Sequence, residues 1–127
     1  MKTVLCFGNP DIKEDSLALE LANELVIEGY TFIKCTRAEL LLEYKNKNII
    51  ILDVVKNLKD VREVSVENIA AEKLFTTHDF DLGHFLKLMK ALKLVKNVRI
   101  IGIPQSGDRE KIKDEVKRLL NEIKKYI

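Results

Sequence analysis

The sequence predicts one three-layer α/β/α sandwich over residues 1–127, and three observations carry that expectation. Short apolar runs of strand length alternate with stretches of helical periodicity along the chain. The run Ile49-Ile50-Ile51-Leu52 is unbroken, which suits a strand covered on both faces. No repeat, linker or low-complexity segment interrupts the alternation, so a single core is expected.

The first element, Lys2–Phe7, reads as a buried strand stopped by Gly8-Asn9-Pro10, because these three residue types favour a turn and end ladder pairing. From Ser16 onward Leu17, Leu21 and Leu25, with Ala18, Ala22 and Val26 alongside, predict a helix that ends near Gly29. Thr31–Cys35 alternates weakly and gives strand two. Asn48–Val55 gives strand three, and between them Arg37–Tyr44, with Leu40, Leu41 and Leu42, has room for about two helical turns. Val61–Val66 alternates valine with charged and hydroxyl residues, the pattern of a half-wet edge strand. Asp81–Leu94 sets Leu82, Phe85, Leu86, Met89 and Leu92 at helical spacing, and Val98–Ile103 is a buried strand stopped by Pro104. From Asp108 the repeat Ile112, Val116, Leu119, Ile123, Ile127 describes an amphipathic helix with Lys and Glu on its other face.

Composition removes several function classes. Lys plus Arg number 22 against 20 for Asp plus Glu, a net +2 too balanced for a nucleic-acid or membrane-surface binder acting through bulk charge. Charged residues interrupt every apolar stretch well short of the roughly 20 residues that a membrane helix needs. The start Met1-Lys2-Thr3 leads straight into a strand without the features of a secretory signal, so the expected location is the cytoplasm. Cys6 and Cys35 lie far apart with no Cys-x-x-Cys spacing and read as small buried apolar side chains. The G-x-G-x-x-G fingerprint of dinucleotide binding is absent.

In open α/β sheets ligands collect at the carboxyl ends of the strands, and the candidate residues follow from that rule. The loop after strand one delivers Glu14 and Asp15 to the start of the first helix, where helix capping is the competing role. Asp53 ends the apolar run of strand three, where a carboxylate needs a partner or water, and loop capping is again the alternative. His78 precedes the third helix with Asp79 beside it as an orienting group, although an isolated histidine there also serves as a hydrogen-bonded capping residue. His84, six residues on, cannot form an i, i+4 zinc pair with His78 and reads as structural. Two carboxylates and one imidazole on three loops make a plausible divalent-metal triad, with mixed O and N ligands suited to nickel, zinc or similar ions.

Four stretches together resemble one family. Leu5-Cys6-Phe7-Gly8-Asn9 followed by Glu14-Asp15, Ile50-Ile51-Leu52-Asp53, Thr77-His78 leading into Leu82, and Val98–Pro104 occur in the order found in the nickel–iron hydrogenase maturation endopeptidases. That family trims the C-terminus of the hydrogenase large-subunit precursor, and the resemblance spans nearly the whole chain. It implies a mixed five-stranded sheet of order 2-1-3-5-4 with strand four antiparallel, a phosphorylase/hydrolase-like topology. The segment Asn68–Thr77 then crosses back to the ligand edge, a return that ten extended residues, reaching about 33 Å, can make. The resemblance also places Asp15, Asp53 and His78 at the metal-ligand and catalytic positions, with Glu14 as the neighbouring acid. It implies cleavage after nickel insertion, with nickel presented by the precursor rather than held permanently, and with other divalent ions able to substitute. The implied partner is the hydrogenase large-subunit precursor, met by a monomer without nucleic-acid binding or membrane insertion.

The chain departs from the family pattern where Ser16 and Ala18 replace glycines, and where Lys34-Cys35-Thr36-Arg37 replaces a glycine-rich loop. These changes alter cleft walls rather than ligands. Two further classes stay open: a catalytically silent binding relative, and a receiver-like signalling module with Asp53 as phospho-acceptor. The receiver requires a fully parallel 2-1-3-4-5 sheet and a lysine ending strand five, where this chain has Ile103-Pro104-Gln105.

Overall fold

The computed structural model describes residues 2–45, 47–65, 80–94 and 97–124, and of residues 80–85 the backbone only. Its apolar runs form five strands: β1 (Lys2–Phe7), β2 (Tyr30–Cys35), β3 (Asn48–Val54), β4 (Arg62–Val64) and β5 (Asn97–Ile103). They lie in the order β2-β1-β3-β5-β4. The first three pairings are parallel, and β4 runs antiparallel along β5 with Arg62 opposite Gly102 and Val64 opposite Ile100. The expected 2-1-3-5-4 sheet is thus the observed one. It excludes the fully parallel 2-1-3-4-5 order on which the receiver-like reading depended.

Three α-helices flank this sheet among the described residues: α1 (Leu17–Glu24), α2 (Phe80–Ala91) and α3 (Arg109–Lys124). Side-chain alternation divides the core into two layers. On one face Val4, Cys6, Ile50, Leu52 and Val54 pack with Ala18 and Leu21 of α1 and with Ile112, Val116 and Leu120 of α3. On the other, Leu5, Phe7, Ile49, Ile51 and Val55 pack with Leu41 of the 3-10 segment Ala38–Tyr44 and with Leu86 and Met89 of α2. Ile51 and Leu52 are both fully buried, one on each side. Each such side chain contributes about 1.5–3 kcal/mol, which is why this run occupies the centre of the sheet. The Tyr30 hydroxyl donates to the Leu120 carbonyl at 2.6 Å and ties edge strand β2 to α3. Gly29, at φ 90°, supplies the left-handed turn that a side chain would strain.

Several local readings change. The first helix stops at Glu24 rather than near Gly29, because Leu25 adopts extended angles (φ −78°, ψ 127°). Leu25 and Ile27 then alternate into the core while Val26 is 89% exposed. The segment Ala38–Tyr44 is a 3-10 helix. Edge strand β4 is confined to Arg62–Val64. In α3 the buried position is Leu120 rather than Leu119, since 112, 116 and 120 share one i, i+4 row. Leu92 is exposed, lying beyond the end of α2 where Lys93 turns left-handed at φ 58° and the Leu94 N–H donates back to the Met89 carbonyl. The readings of Asn68–Thr77, His78, Asp79, Val66 and Ile127, and of the side chains of Leu82, His84 and Phe85, fall outside the described residues. No helix among the described residues is long and apolar enough to cross a membrane.

Candidate functional site at the carboxyl edge of the sheet

Beyond Phe7 the chain turns at Gly8-Asn9 and closes on the 3-10 turn Lys13–Asp15. Backbone bonds hold the loop, among them Gly8 N–H to Cys35 O at 3.2 Å, Asn9 N–H to Asp15 O at 3.3 Å, Ile12 N–H to Asn9 O at 3.2 Å and Asp15 N–H to Ile12 O at 3.0 Å. The Asn9 side chain adds an Asx-type bond, accepting from Asp11 N–H at 2.9 Å. Gly8 is required by close approach. A Cβ there would collide with the Asp15 carbonyl oxygen and sit 3.1 Å from Leu19 Cγ. The Gly-Asn turn therefore holds the Asp15 backbone against the end of β1.

Asp15 and Asp53 are 1% and 0% exposed. With Ser16, they are the polar or charged side chains buried among the described residues. Asp15 does not cap α1, whose N-cap is Ser16. The Ser16 hydroxyl donates to Glu20 Oε2 at 2.7 Å and approaches Lys13 O at 3.1 Å. Asp53 is no loop residue either: it lies within β3, opposite Gly102 of β5, and its Oδ1 accepts the Val54 N–H at 2.9 Å. Cys6 pairs with Leu52, so continuing the ladder by one residue sets Asp53 beside Phe7, immediately before the Gly8 turn. Alternation with Ile49, Ile51 and Val55 puts Asp53 on the face that α2 covers. The two buried acids thus belong to one edge, the carboxyl ends of β1 and β3, where α/β sheets bind ligands.

Glu14 parts from its neighbour. It is exposed and lines a cleft of about 430 Å³ with Lys13, Leu17, Gln105, Ser106 and Arg109, between the 3-10 turn and the loop after β5. One wall of this cleft is cross-linked. Arg109 bonds Glu20 at 3.1 Å and pairs with Glu24, which Lys113 also reaches at 3.3 Å. The Arg109 guanidinium holds the Glu24 carboxyl down at about 2. Sequence reasoning missed this cross-link, although Glu20 and Glu24 already stood at i, i+4 on α1.

His78 and Asp79 lie outside the described residues. Among the described residues no three His, Cys, Asp or Glu side chains cluster closely enough to hold a metal ion. Cys6 and Cys35 are buried free thiols on opposite faces of the sheet. Burial raises the Cys6 thiol far above its ordinary range, with Cys35 and Asp53 adding in the same sense. Cys35 is pushed up to about 11, mainly by burial. Neither is a nucleophile at neutral pH.

No family model matches the sequence, and no curated protein matches it. Solved structures do match the fold. The hydrogenase maturating endopeptidase HybD from E. coli aligns with a TM-score of 0.69 at 14% identity, covering 99% of this chain and 94% of its own. A hydrogenase 3 maturation protease aligns at 0.66 with 18% identity, covering 93% and 87%. The endopeptidase HycI from Escherichia coli aligns at 0.64 with 18% identity, covering 93% and 88%. The chain therefore has the fold seen in hydrogenase maturation endopeptidases, matched over nearly its whole length.

Proposed function

We propose that this chain is an endopeptidase that removes the C-terminal extension of a nickel–iron hydrogenase large-subunit precursor after nickel insertion. One observation carries the reading: Asp15 and Asp53, alone among the described Asp and Glu side chains, are buried, and both sit at the carboxyl edge of a sheet whose fold is shared with hydrogenase maturation endopeptidases. Two buried carboxylates at the edge where α/β sheets bind ligands are the acidic groups in position to do chemistry there. His78, the third member of the set, stands two residues before α2 in the sequence, and α2 packs on the face to which Asp53 belongs.

Nickel in this scheme is part of the substrate, carried in by the precursor. Two carboxylate oxygens and an imidazole nitrogen form a donor set compatible with a borderline divalent ion. Such an ion polarises a peptide carbonyl or activates water, and the same side chains would serve if it were only a recognition mark. Gly8 and the 3-10 turn fix Asp15, the β3 ladder fixes Asp53, and the exposed Glu14 remains available at the cleft mouth as the neighbouring acid.

The decisive assay follows the precursor's C-terminal peptide by mass, with and without nickel, for wild type, Asp53→Asn and His78→Ala. Both variants should lose cleavage by about a hundredfold or more, because removing one ligand of three takes away most of a site's affinity and orientation. Asp53→Asn preserves shape and opens no cavity, so its melting temperature should stay near wild type. Unchanged cleavage by either variant would falsify the ligand assignment. An inactive wild type on its cognate nickel-loaded precursor would favour the silent-relative reading, to which Ser16 lends support: it replaces a family glycine and commits its hydroxyl to Glu20 beside the cleft.

A further inference from the structure

A second concave site lies at the opposite edge of the sheet, where β1, β3 and β5 begin. Its volume is about 610 Å³, within the range of small-molecule sites. Among the described residues three cations line it, Lys2, Lys47 and Arg99, and no acidic side chain does. In a chain of net charge +2 that is a local concentration of positive charge, reduced in part where Glu63 meets Arg99. That contact engages Arg99 Nε and Nη2, leaving Nη1 for another acceptor. Among the described residues neither Lys2 nor Lys47 forms a salt bridge, and the Lys47 ammonium lies 5.8 Å from the centroid of the Tyr44 ring.

The rest of the lining is of another kind. Tyr44, Ile49 and Val98 form an aromatic and apolar wall on one face of the sheet, Ile50 belongs to the other face, and Asn48 and Asn97 are a pair of amides joined at 3.3 Å across β3 and β5. That pair uses one Asn97 N–H and one face of the Asn48 carbonyl, so amide donors and acceptors remain for a ligand. Cations, an aromatic ring, apolar side chains and paired amides around one cavity suit a doubly charged anion attached to a flat, hydrogen-bonding ring.

We propose that this cavity binds a small phosphorylated ligand carrying a planar ring, of mononucleotide size. The phosphate lies among Lys2, Lys47 and Arg99. The ring rests against Ile49 and Val98 beside Tyr44, with its edge toward Asn48 and Asn97. Asn48 and Asp53 are five residues apart on β3, about 17 Å of strand, so this site is spatially separate from the buried carboxylates. It does not depend on the function proposed for them.

The test is a titration of the whole chain with AMP, adenosine and inorganic phosphate, read by calorimetry and by amide chemical-shift mapping. AMP should bind saturably and shift the amides of Lys2, Asn48 and Asn97 while leaving those of Gly8, Asp15 and Asp53 in place. Adenosine should bind at least about tenfold more weakly, since it lacks the charge, and added salt should weaken AMP binding. Lys2→Gln and Lys47→Gln should each weaken AMP several-fold, and Lys117→Gln, on the exposed face of α3, should not. Absence of saturable AMP binding, shifts confined to the carboxyl edge, or adenosine binding as tightly as AMP would overturn the proposal. Phosphate matching AMP in affinity would overturn its ring component and leave an anion site.

Discussion

The two edges of the sheet are built on opposite physical terms, and β3 joins them. It opens with Asn48, exposed beside solvated cations, and within five residues reaches Asp53, a carboxylate without solvent contact. At the amino edge charge is cheap because water screens it, so cations gather around a concavity without special support. At the carboxyl edge charge is expensive and is held in place by covalent geometry: a glycine turn, a 3-10 turn and a strand ladder. An edge that invests backbone precision in buried acids should tolerate little change, whereas an edge of solvated groups should tolerate much.

The sharpest way to break that contrast is Gly8→Ala. The added methyl meets the Asp15 carbonyl, a backbone atom that cannot rotate aside, so destabilisation of about 1–3 kcal/mol is expected. Denaturant titration measures it, and cleavage by the soluble variant should fall as the Asp15 turn shifts. A variant as stable and active as wild type would show that the turn is not the rigid support described.

A smaller effect is expected at the cleft wall. Arg109→Gln removes the partner of Glu20 and Glu24, a partly exposed cluster, so the loss near neutral pH should be only about 0.2–1 kcal/mol. Its pH dependence follows from sign. The Glu24 carboxyl is depressed in the folded state to about 2 from 4.5, so its contribution is complete above the unfolded value and disappears as pH falls through the folded one. Melting curves of wild type and variant should therefore differ at pH 7 and converge between pH 4.5 and 2. A gap constant over that window would assign the loss to packing instead.

The smallest effect belongs to the amino edge. Asn97→Ala removes an exposed 3.3 Å hydrogen bond to Asn48 and should change stability by less than about 0.5 kcal/mol, measured in the same denaturant titration. A loss rivalling that of Gly8→Ala would abolish the distinction between the edges.

These edges were unequally legible in the sequence. Strand positions could be read because Ile49–Leu52 and Ile100–Ile103 allow little else, and Asp15 and Asp53 were found because each follows an apolar strand in the chain. The end of α1 was misread because Leu21, Leu25 and Gly29 keep helical spacing even though the backbone is already extended at Leu25, a choice made by tertiary packing of Leu25 and Ile27. The helical segment Ala38–Tyr44 was located, while its tighter 3-10 winding has no simple mark in composition. The amino-edge cavity left no motif at all. Lys2, Tyr44, Lys47 and Arg99 come from three distant stretches of chain and meet only through sheet order.

The two thiols give the layered core an experimental handle. Cys6 is sealed beneath α1 and α3, and Cys35 beneath the opposite layer with Ala38 and Leu41. Placed on opposite faces of the sheet, they have no route to a mutual disulfide in the folded chain, and burial keeps both protonated. A thiol reagent therefore reaches each sulfur through a different opening motion. The chain carries its own pair of exchange reporters, one for the lifting of each helical layer, with no engineered label required.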